Sequence, residues 1–261
     1  MVRIRWFFIR HAESEANVVE RWRIAGRSEA ARLTERGERQ ARVVGEAVAI
    51  RLEQVLQVDG GDAGGVSGVA GRRRVLAPVA FTSPLLRARQ TAALVLEQVA
   101  QPVKLEPVDD LAEVYQGLWE DALRSEVHTP ETLQAMARNP YEFRAPGGEA
   151  QADVERRVLR AVSRMSQRVL SLLSLELEEN EQTDVIVLVF THGYVCKCLI
   201  RSVLDASPHL TGQIQVDNGA LVELWLEPAV QQGALTSAAE LGMWTVLRIN
   251  DTWGQLTASM R

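Results

Sequence analysis

Short apolar runs alternate with longer amphipathic segments along most of the chain. The first run, residues 3–9, is rich in β-branched and aromatic side chains, which predicts a strand. Similar runs predict strands over 78–82, 103–108, 184–190, 220–226 and 243–249. Thr34 is the predicted N-cap of a long helix whose apolar positions recur as far as Val55. Further helices are predicted from Pro84 to about Val99, over 119–138 with an interruption at Pro130, over 153–177 and over 194–204. The pattern is that of an α/β protein.

The order of these elements indicates how they are layered. Strands that alternate with helices imply a mostly parallel central sheet with helices on both faces, a three-layer α/β sandwich. No internal repeat and no linker interrupts the 261 residues, so we expect a single domain over 1–261. The Gly-rich segment at about 59–74 is interpreted as a flexible surface loop, because no G-K-[S/T] closes it as a phosphate-binding loop.

Composition and charge narrow the class of protein. With 46% hydrophobic and 24% charged residues the sequence is typical of globular proteins, which excludes disordered, collagen-like and disulfide-scaffold classes. The formal net charge of −5 excludes a broad polyanion-binding surface, so nucleic acid is not an expected partner. The net charge does not exclude a small anionic substrate, because a few basic residues around a single site are enough to bind one. No apolar stretch is long enough to span a membrane and the first residues lack a signal-peptide pattern, so we expect a cytoplasmic protein with no membrane partner.

The two cysteines, Cys196 and Cys198, lie two positions apart in a predicted helix. Such positions point to different faces of a helix, so the pair is poorly placed to share a metal ion or to form a disulfide. We expect reduced thiols in the core.

Polar side chains follow three of the predicted strands at the point where each strand ends. They are Arg10-His11, Thr82-Ser83 with Arg87 one turn into the next helix, and Thr191-His192-Gly193. In open α/β sheets ligands bind beyond the carboxyl ends of the strands, so these groups are expected to meet at one rim. A single histidine of this kind is more often a structural residue. Two of the four histidines at strand ends beside arginines indicate a functional site.

Several segments match the motifs of one known family, in the family's order. They are residues 8–14 (FIRHAES) with Asn17, residues 33–41 (LTERGERQA), residues 83–92 (SPLLRARQTA), Leu111-Ala112-Glu113 with Gly117 and Trp119-Glu120, residues 146–149 (PGGE) and residues 191–193 (THG). Together they resemble the histidine phosphatase superfamily, the group that includes cofactor-dependent phosphoglycerate mutases. Arg-His alone is a weak signal, but the ordered set from about residue 6 to 221 is specific. The resemblance implies a phosphoglycerate mutase-like fold.

The resemblance also implies a set of catalytic roles. His11 would attack phosphorus as the nucleophile, in its neutral form and with its other ring nitrogen donating to a backbone carbonyl. Glu113 would donate a proton to the leaving oxygen and then activate water. Arg10, Arg87 and His192 would hold the phosphoryl oxygens. The expected substrate contacts are Asn17, Gly26 and Gly193. No step calls for a metal or a cofactor, and the sequence has no convincing cluster of metal ligands.

Three residues depart from the family pattern. Ala12 and Asp121 stand where the family usually has glycine, and Ala16 replaces a frequent aromatic residue. If position 12 needs a positive φ, alanine there would strain the phosphate loop. These changes bear on substrate fit more than on the chemistry. His128 and His209 match no motif and are interpreted as ordinary surface or turn residues.

The predicted activity is hydrolysis of a small phosphorylated metabolite through a phosphohistidine. Residues 146–158 resemble the phosphatase branch, and the longer segment with an arginine pair that is usual in the mutase branch is not found. A cofactor-dependent phosphoglycerate mutase is therefore the alternative.

Two hypotheses from other classes fit the sequence less well. A catalytically inactive binding module predicts loss of a catalytic residue, yet His11, Arg87, Glu113 and His192 are all present. A dinucleotide-binding dehydrogenase needs G-x-G-x-x-G after the first strand, and residues 10–17 contain no glycine. The sequence indicates neither the physiological substrate nor the oligomeric state.

Overall fold

Helices surround a seven-stranded sheet in the computed structural model, which describes residues 2–19, 22–28, 31–57, 72–174, 182–229 and 237–253. The strands are β1 (Val2–Arg10), β2 (Arg73–Leu76), β3 (Val79–Thr82), β4 (Lys104–Pro107), β5 (Thr183–Thr191), β6 (Leu221–Pro228) and β7 (Gly242–Asp251). The helices are α1 (Glu15–Val19), α2 (Glu35–Leu56), α3 (Leu86–Leu96), α4 (Arg124–Val127), α5 (Pro130–Arg138), α6 (Gln151–Leu173) and α7 (Gly193–Val203). Short 3₁₀ turns cover Asp109–Leu111, Gly117–Trp119, Pro208–Gln213 and Ala238–Leu241. A membrane-spanning helix would need a longer apolar stretch than any helix in the described part of the chain provides.

The sheet is parallel except at one strand. Its order is β4-β3-β5-β1-β6-β7, and β2 pairs with the start of β5 on the side that β3 covers further along. β1 lies parallel to β5 and antiparallel to β6, which is in turn antiparallel to β7. Because β6 alone runs against its neighbours, the prediction of a mostly parallel sheet is confirmed.

Side chains of β1 alternate between two apolar layers. Trp6 and Phe8 belong to the layer that α6 and α7 cover, whereas Phe7 and Ile9 belong to the layer under α2 and α3. All four are fully buried. Strand β5 is buried at all nine positions, as its aliphatic sequence predicts. Helices therefore cover both faces of the sheet, and the prediction of a three-layer sandwich is confirmed.

The segment 119–138 differs from the prediction of one helix interrupted at Pro130. It forms the end of a 3₁₀ turn and two short helices, α4 and α5. Asp121 has a φ of 61°, which no helix continues through, and Pro130 begins α5 at its first position with Thr129 as the N-cap. Proline therefore starts the second helix, since its missing amide hydrogen is not needed there.

Strand β2 replaces the end of the predicted Gly-rich loop. The loop prediction over about 59–74 falls mostly outside the described residues, but Arg73 and Arg74 are strand residues. Next to them, Arg72 Nε donates to the buried carboxylate of Asp184 on β5 at 2.6 Å. This ion pair and the backbone pairing to β5 hold the strand in place. Because β2 begins with two arginines, its sequence does not form an apolar run of the kind that predicts a strand.

Cys196 and Cys198 are buried free thiols on α7. Burial raises the pKa of Cys196 to about 12 and raises that of Cys198 well above its ordinary value, so both stay protonated near neutral pH. The prediction of reduced thiols in the core is confirmed.

Candidate active site

The carboxyl ends of β1 and β5 bring the two predicted histidines together. Arg10, the last residue of β1, pairs with Thr191, the last residue of β5, so His11 and His192 follow neighbouring strand ends. Their ring centroids are 5.1 Å apart and the ring planes make an angle of 61°. Both side chains are buried. The register of this central parallel pair therefore places the two imidazoles in contact.

A hydrogen bond fixes the tautomer of His11. Its Nδ1 lies 2.7 Å from the carbonyl oxygen of Ala12, and because a carbonyl only accepts, Nδ1 carries the proton and Nε2 has the lone pair. Burial lowers the pKa of His11 well below its ordinary value of 6.5, and the charges of Arg87 and Arg10 lower it further. The ring is therefore neutral near pH 7, which is the form that can act as a nucleophile.

Alanine at position 12 does not strain the phosphate loop. Ala12 is not one of the described residues with a positive φ, and its amide donates to Thr91 Oγ1 at 3.0 Å. Of the two glycine positions that this sequence replaces, Asp121 is the one in the left-handed region. Its carbonyl oxygen accepts from Arg23 Nη1 at 2.6 Å. Of these two positions, the one with a strained backbone is therefore Asp121, and not Ala12 next to the predicted nucleophile.

Ser83 holds the second histidine. His192 Nε2 lies 2.7 Å from Ser83 Oγ, which already accepts a hydrogen bond from Leu85 N at 3.2 Å. The hydroxyl hydrogen of Ser83 is then available to Nε2, an arrangement that favours the ring proton on Nδ1. Nδ1 is buried and has no acceptor within the described residues. Burial lowers the pKa of His192 well below 6.5, with further contributions from Arg87 and His11, so this ring is also neutral near pH 7.

Hydrogen bonds to backbone carbonyl oxygens orient the guanidinium groups of the two predicted arginines. Arg87 donates from Nη1 to Ser28 O and from Nη2 to Gly26 O, both at 2.9 Å. Arg10 donates from Nη1 to Val216 O at 2.7 Å, and its buried Nε has no partner among the residues described. A Cβ at Gly193 would lie 3.1 Å from Arg10 Nε, so glycine there leaves room for the guanidinium.

Gly26 and Asn17, both predicted to contact substrate, are each packed against or hydrogen-bonded to other residues near the site. Gly26 has a φ of +39°, and a Cβ there would lie 2.1 Å from the Glu120 carboxylate. Asn17 Oδ1 accepts from Ser14 N and from Asn218 Nδ2, each at 3.0 Å. Asn218 Nδ2 also donates to His11 O at 3.0 Å, so Asn17 is connected to the backbone of the nucleophile.

Glu113 presents its carboxylate near the start of α7. Its Oε1 accepts from Val114 N at 2.9 Å, and its Oε2 accepts from Tyr194 N at 3.4 Å. Its carbonyl oxygen accepts from Arg27 Nε at 2.7 Å and from Arg157 Nη2 at 3.2 Å. Two arginines from different parts of the chain thus hold the backbone of the predicted proton donor.

Arg157 is a site residue that the sequence analysis missed. It is buried on α6 and also donates from Nη1 to Asp110 O and Ala112 O, both at 2.7 Å, and from Nε to Glu149 Oε1 at 2.9 Å. A signal was present in the sequence, because Arg157 lies three residues after Val154 and four before Ala161 and so falls on the apolar stripe of α6. A charged residue on a buried face needs partners, and here they surround the loop that carries Glu113.

Glu149 ties the segment that follows Glu113 to the segment that precedes α6. Its Oε2 accepts from Tyr115 N and from Arg27 Nη2, each at 2.9 Å, and its amide donates to Tyr115 O at 2.8 Å. A second connection runs from Leu118 N to Pro146 O at 2.9 Å. The segment between these two connections carries α4 and α5, and its two ends therefore lie next to each other.

A cavity of about 760 Å³ opens beside these groups. Seven of the eight predicted site residues line it: Arg10, His11, Asn17, Gly26, Arg87, Glu113 and Gly193. His192 does not line the cavity and is fully buried in contact with His11. His128 and His209, which match no motif, do line it, together with Lys197 one turn after Gly193 on α7. The structure thus brings the predicted groups to one place and adds a wide outer wall.

A comparison with protein families identifies the family of this chain. Residues 70–236, more than half of its length, match the model of the histidine phosphatase superfamily (branch 1). The chain belongs to the histidine phosphatase superfamily. The matched region begins after Arg10 and His11 and therefore does not include the first of the sequence motifs. No curated protein matches the sequence significantly.

Several solved structures with a similar fold are named as phosphatases. A mycobacterial glucosyl-3-phosphoglycerate phosphatase is 19% identical with a TM-score of 0.65, and the match covers 95% of this chain and 99% of that one. The α-ribazole phosphatase from Shigella flexneri is 22% identical with a TM-score of 0.58, covering 95% and 96%. Phosphoserine phosphatase from Entamoeba histolytica, in complex with 3-phosphoglyceric acid, is 19% identical with a TM-score of 0.60, covering 95% and 97%. At these identities the similarity shows a shared fold.

Proposed function

We propose that the protein hydrolyses phosphomonoesters of small metabolites through a phosphohistidine on His11. The observation that carries the proposal is the hydrogen bond from His11 Nδ1 to Ala12 O, which leaves Nε2 unprotonated in a cavity that Arg10 and Arg87 also line. A neutral imidazole with a fixed tautomer beside two guanidinium groups suits attack on a phosphate ester. Superfamily membership and the phosphatase neighbours support the same class of reaction.

In the proposed first step, Nε2 of His11 forms a bond to phosphorus as the bond from phosphorus to the ester oxygen breaks. Negative charge spreads over the phosphoryl oxygens, where Arg10, Arg87 and His192 would donate hydrogen bonds. Arg10 Nε and His192 Nδ1 are buried polar atoms without an acceptor in the described part of the chain, and a bound phosphoryl group would supply one.

Glu113 would complete both halves of the reaction. Its protonated carboxyl would give a hydrogen to the ester oxygen as the alcohol leaves. The resulting carboxylate would then take a proton from water, whose oxygen bonds to phosphorus while the bond from phosphorus to Nε2 breaks. Inorganic phosphate leaves, and His11 returns to its neutral form. The arginines at the Glu113 carbonyl oxygen support this role, since they hold its backbone in place.

Turnover of p-nitrophenyl phosphate tests the proposal. We expect release of p-nitrophenol in the presence of a metal chelator, inhibition by vanadate, and an acid-labile phosphoenzyme after rapid quenching. His11→Ala should lower kcat/KM by a factor on the order of 10⁴ or more and abolish the phosphoenzyme. Full activity of His11→Ala would refute the mechanism.

Two arginines on α3 offer a matched test of the phosphate contacts. Arg87 is buried at the cavity, whereas Arg89 is exposed on the same helix. Arg87→Lys keeps the charge but loses the two-pronged guanidinium, and we expect kcat/KM to fall by about 100- to 1,000-fold. Arg89→Lys should leave it unchanged. Equal effects of the two substitutions would contradict the role given to Arg87.

A separate assay distinguishes hydrolysis from phosphoryl transfer. The protein is given 3-phosphoglycerate with bisphosphoglycerate, and formation of 2-phosphoglycerate is followed alongside release of inorganic phosphate. We expect phosphate release without rapid isomerisation. Rapid isomerisation would make the protein a cofactor-dependent phosphoglycerate mutase instead.

A further inference from the structure

Helix α5 turns an apolar face toward the cavity and buries none of its residues. Leu133, Met136 and Ala137, which share one side of this nine-residue helix, line the cavity wall. Leu133 is 48% exposed. An amphipathic helix normally buries its apolar face against the core, so this face is open to a ligand in the cavity.

Aromatic side chains continue the same wall. Trp119 and Phe143 line the cavity with their ring centroids 5.9 Å apart, and the His128 ring stands edge-on to Trp119 at 6.1 Å. Trp119 and Phe143 are only half-buried. Rings that are packed against each other yet partly exposed present flat apolar area at little cost in conformational entropy.

The cavity is much larger than a phosphate group requires. A volume of about 760 Å³ falls in the range of about 300–1,000 Å³ that is usual for sites of drug-sized ligands. Its positively charged inner part, at Arg10 and Arg87, is continuous with the wall made by α5, Trp119 and Phe143. A molecule whose phosphate reaches His11 would therefore extend its other end toward that wall.

We propose that the substrate is an amphipathic phosphomonoester whose leaving group has an apolar body, a ring or an alkyl chain, that packs against α5 and the Trp119–Phe143 wall. This inference rests on the proposed phosphatase function and names the chemical class of its substrate. Burial of apolar surface from both partners favours such a ligand over a compact, fully hydroxylated one at this wall. The cavity lining also includes Arg124, Arg144 and Lys197, so the expected apolar contact is confined to α5, Trp119 and Phe143.

Binding of alkylphosphonates tests the inference without turnover. These compounds carry the alkyl group on phosphorus where an ester would carry its leaving oxygen, and the chain can be lengthened through methyl, butyl, hexyl and octyl. We expect Kd, measured by titration calorimetry, to fall by about 2- to 4-fold for each methylene that reaches the wall. A Kd that does not depend on chain length would overturn the inference.

Two substitutions on α5 locate the effect. Leu133→Gln places a polar group in the apolar wall and should raise the octylphosphonate Kd, relative to methylphosphonate, by about 5-fold or more. Ala135→Gln introduces the same side chain at an exposed position that does not line the cavity, and should leave both Kd values unchanged. Equal behaviour of the two variants would also overturn the inference.

The outcomes separate the inference from the proposed function. Chain-length-dependent binding in a protein that does not hydrolyse p-nitrophenyl phosphate would refute the phosphatase and, with it, the identity of the ligand as a substrate. Hydrolysis with chain-length-independent binding would leave the phosphatase in place and refute the apolar leaving group. A protein that binds no phosphonate at all would contradict both.

Discussion

Replacing Arg157 by methionine removes the side chain that holds the loop of the proposed proton donor. Arg157 makes five hydrogen bonds, to three backbone carbonyl oxygens and to both carboxylate oxygens of Glu149. Methionine has a similar length and an apolar stem, so α6 keeps its packing while every one of these bonds is lost. The substitution therefore isolates the guanidinium.

The expected loss of stability follows from burial. The Arg157 side chain is 5% exposed, and removing one partner of a buried ion pair typically costs 3–5 kcal/mol, by order of magnitude. Glu149 is 20% exposed and keeps Arg27 and the Tyr115 amide as partners, which places the expected decrease in the free energy of unfolding at about 3 kcal/mol.

The neighbouring arginine supplies the control. Arg156 pairs with Asp153 one turn away, with the Arg156 side chain 56% exposed, so Arg156→Met should cost no more than about 0.5 kcal/mol. Urea unfolding followed by tryptophan fluorescence compares the two variants. A loss below about 1 kcal/mol for Arg157→Met, or equal losses for both, would refute the reasoning.

Catalysis gives a second measure of the same substitution. If Arg157 positions Glu113, Arg157→Met should lower kcat much more for an alkyl phosphate, whose leaving oxygen needs a proton, than for p-nitrophenyl phosphate. A uniform decrease for both substrates would mean that the loop of Glu113 does not depend on Arg157.

Three further predictions concern single groups at or near the site. Burial lowers the pKa of His11 and His192 well below 6.5, so in mildly acidic solution the unfolded chain binds a proton at each ring and the folded chain does not. The free energy of unfolding should therefore fall as the pH drops below about 6.5, by up to about 1.4 kcal/mol per pH unit for each ring. Urea unfolding between neutral and mildly acidic pH measures this slope, and His192→Gln should reduce it; an unchanged slope contradicts the assignment. Ser83→Ala should lower kcat by about 10-fold or more, with partial recovery in Ser83→Thr, because the hydroxyl orients His192; an unaffected kcat would argue against this. Asp121→Gly should raise the free energy of unfolding by about 0.5–1 kcal/mol, since it relieves a positive φ, and a lower melting temperature would show that the aspartate contributes more than its strain costs.

Elements and groups with a strong local pattern could be predicted from the sequence. Strand β5 is buried on both faces, which its unbroken aliphatic run records, and the N-cap at Thr34 is a local interaction with Gly37. The meeting of His11 and His192 at one rim also follows from a general rule, because parallel strands end at the same edge of a sheet.

Interactions between distant parts of the chain could not be predicted in this way. Arg157 finds its partners on a loop about 45 residues earlier, and nothing in the pattern of α6 says which carbonyls will face it. Strand β2 is half-buried and begins with two arginines, so its identity depends on β5 and on Asp184 beside it. The role of Ser83 depends on the approach of His192, which only the folded sheet provides.

The ties between Tyr115 and Glu149 and between Leu118 and Pro146 have a consequence for how this protein can be changed. They form a closed neck, so the segment that carries α4 and α5 is a loop whose ends are already joined. The entropy of closing a loop grows slowly, by about 0.6 kcal/mol for each doubling of its length. Residues 121–124 also pair with the backbone at 22–24, next to the Gly26 carbonyl oxygen that Arg87 binds, so this first part of the segment must stay as it is. We expect the remainder, residues 125–144, to tolerate changes of length or exchange while the residues around His11 keep their places, which makes it the preferred point for altering which ligand the cavity accepts.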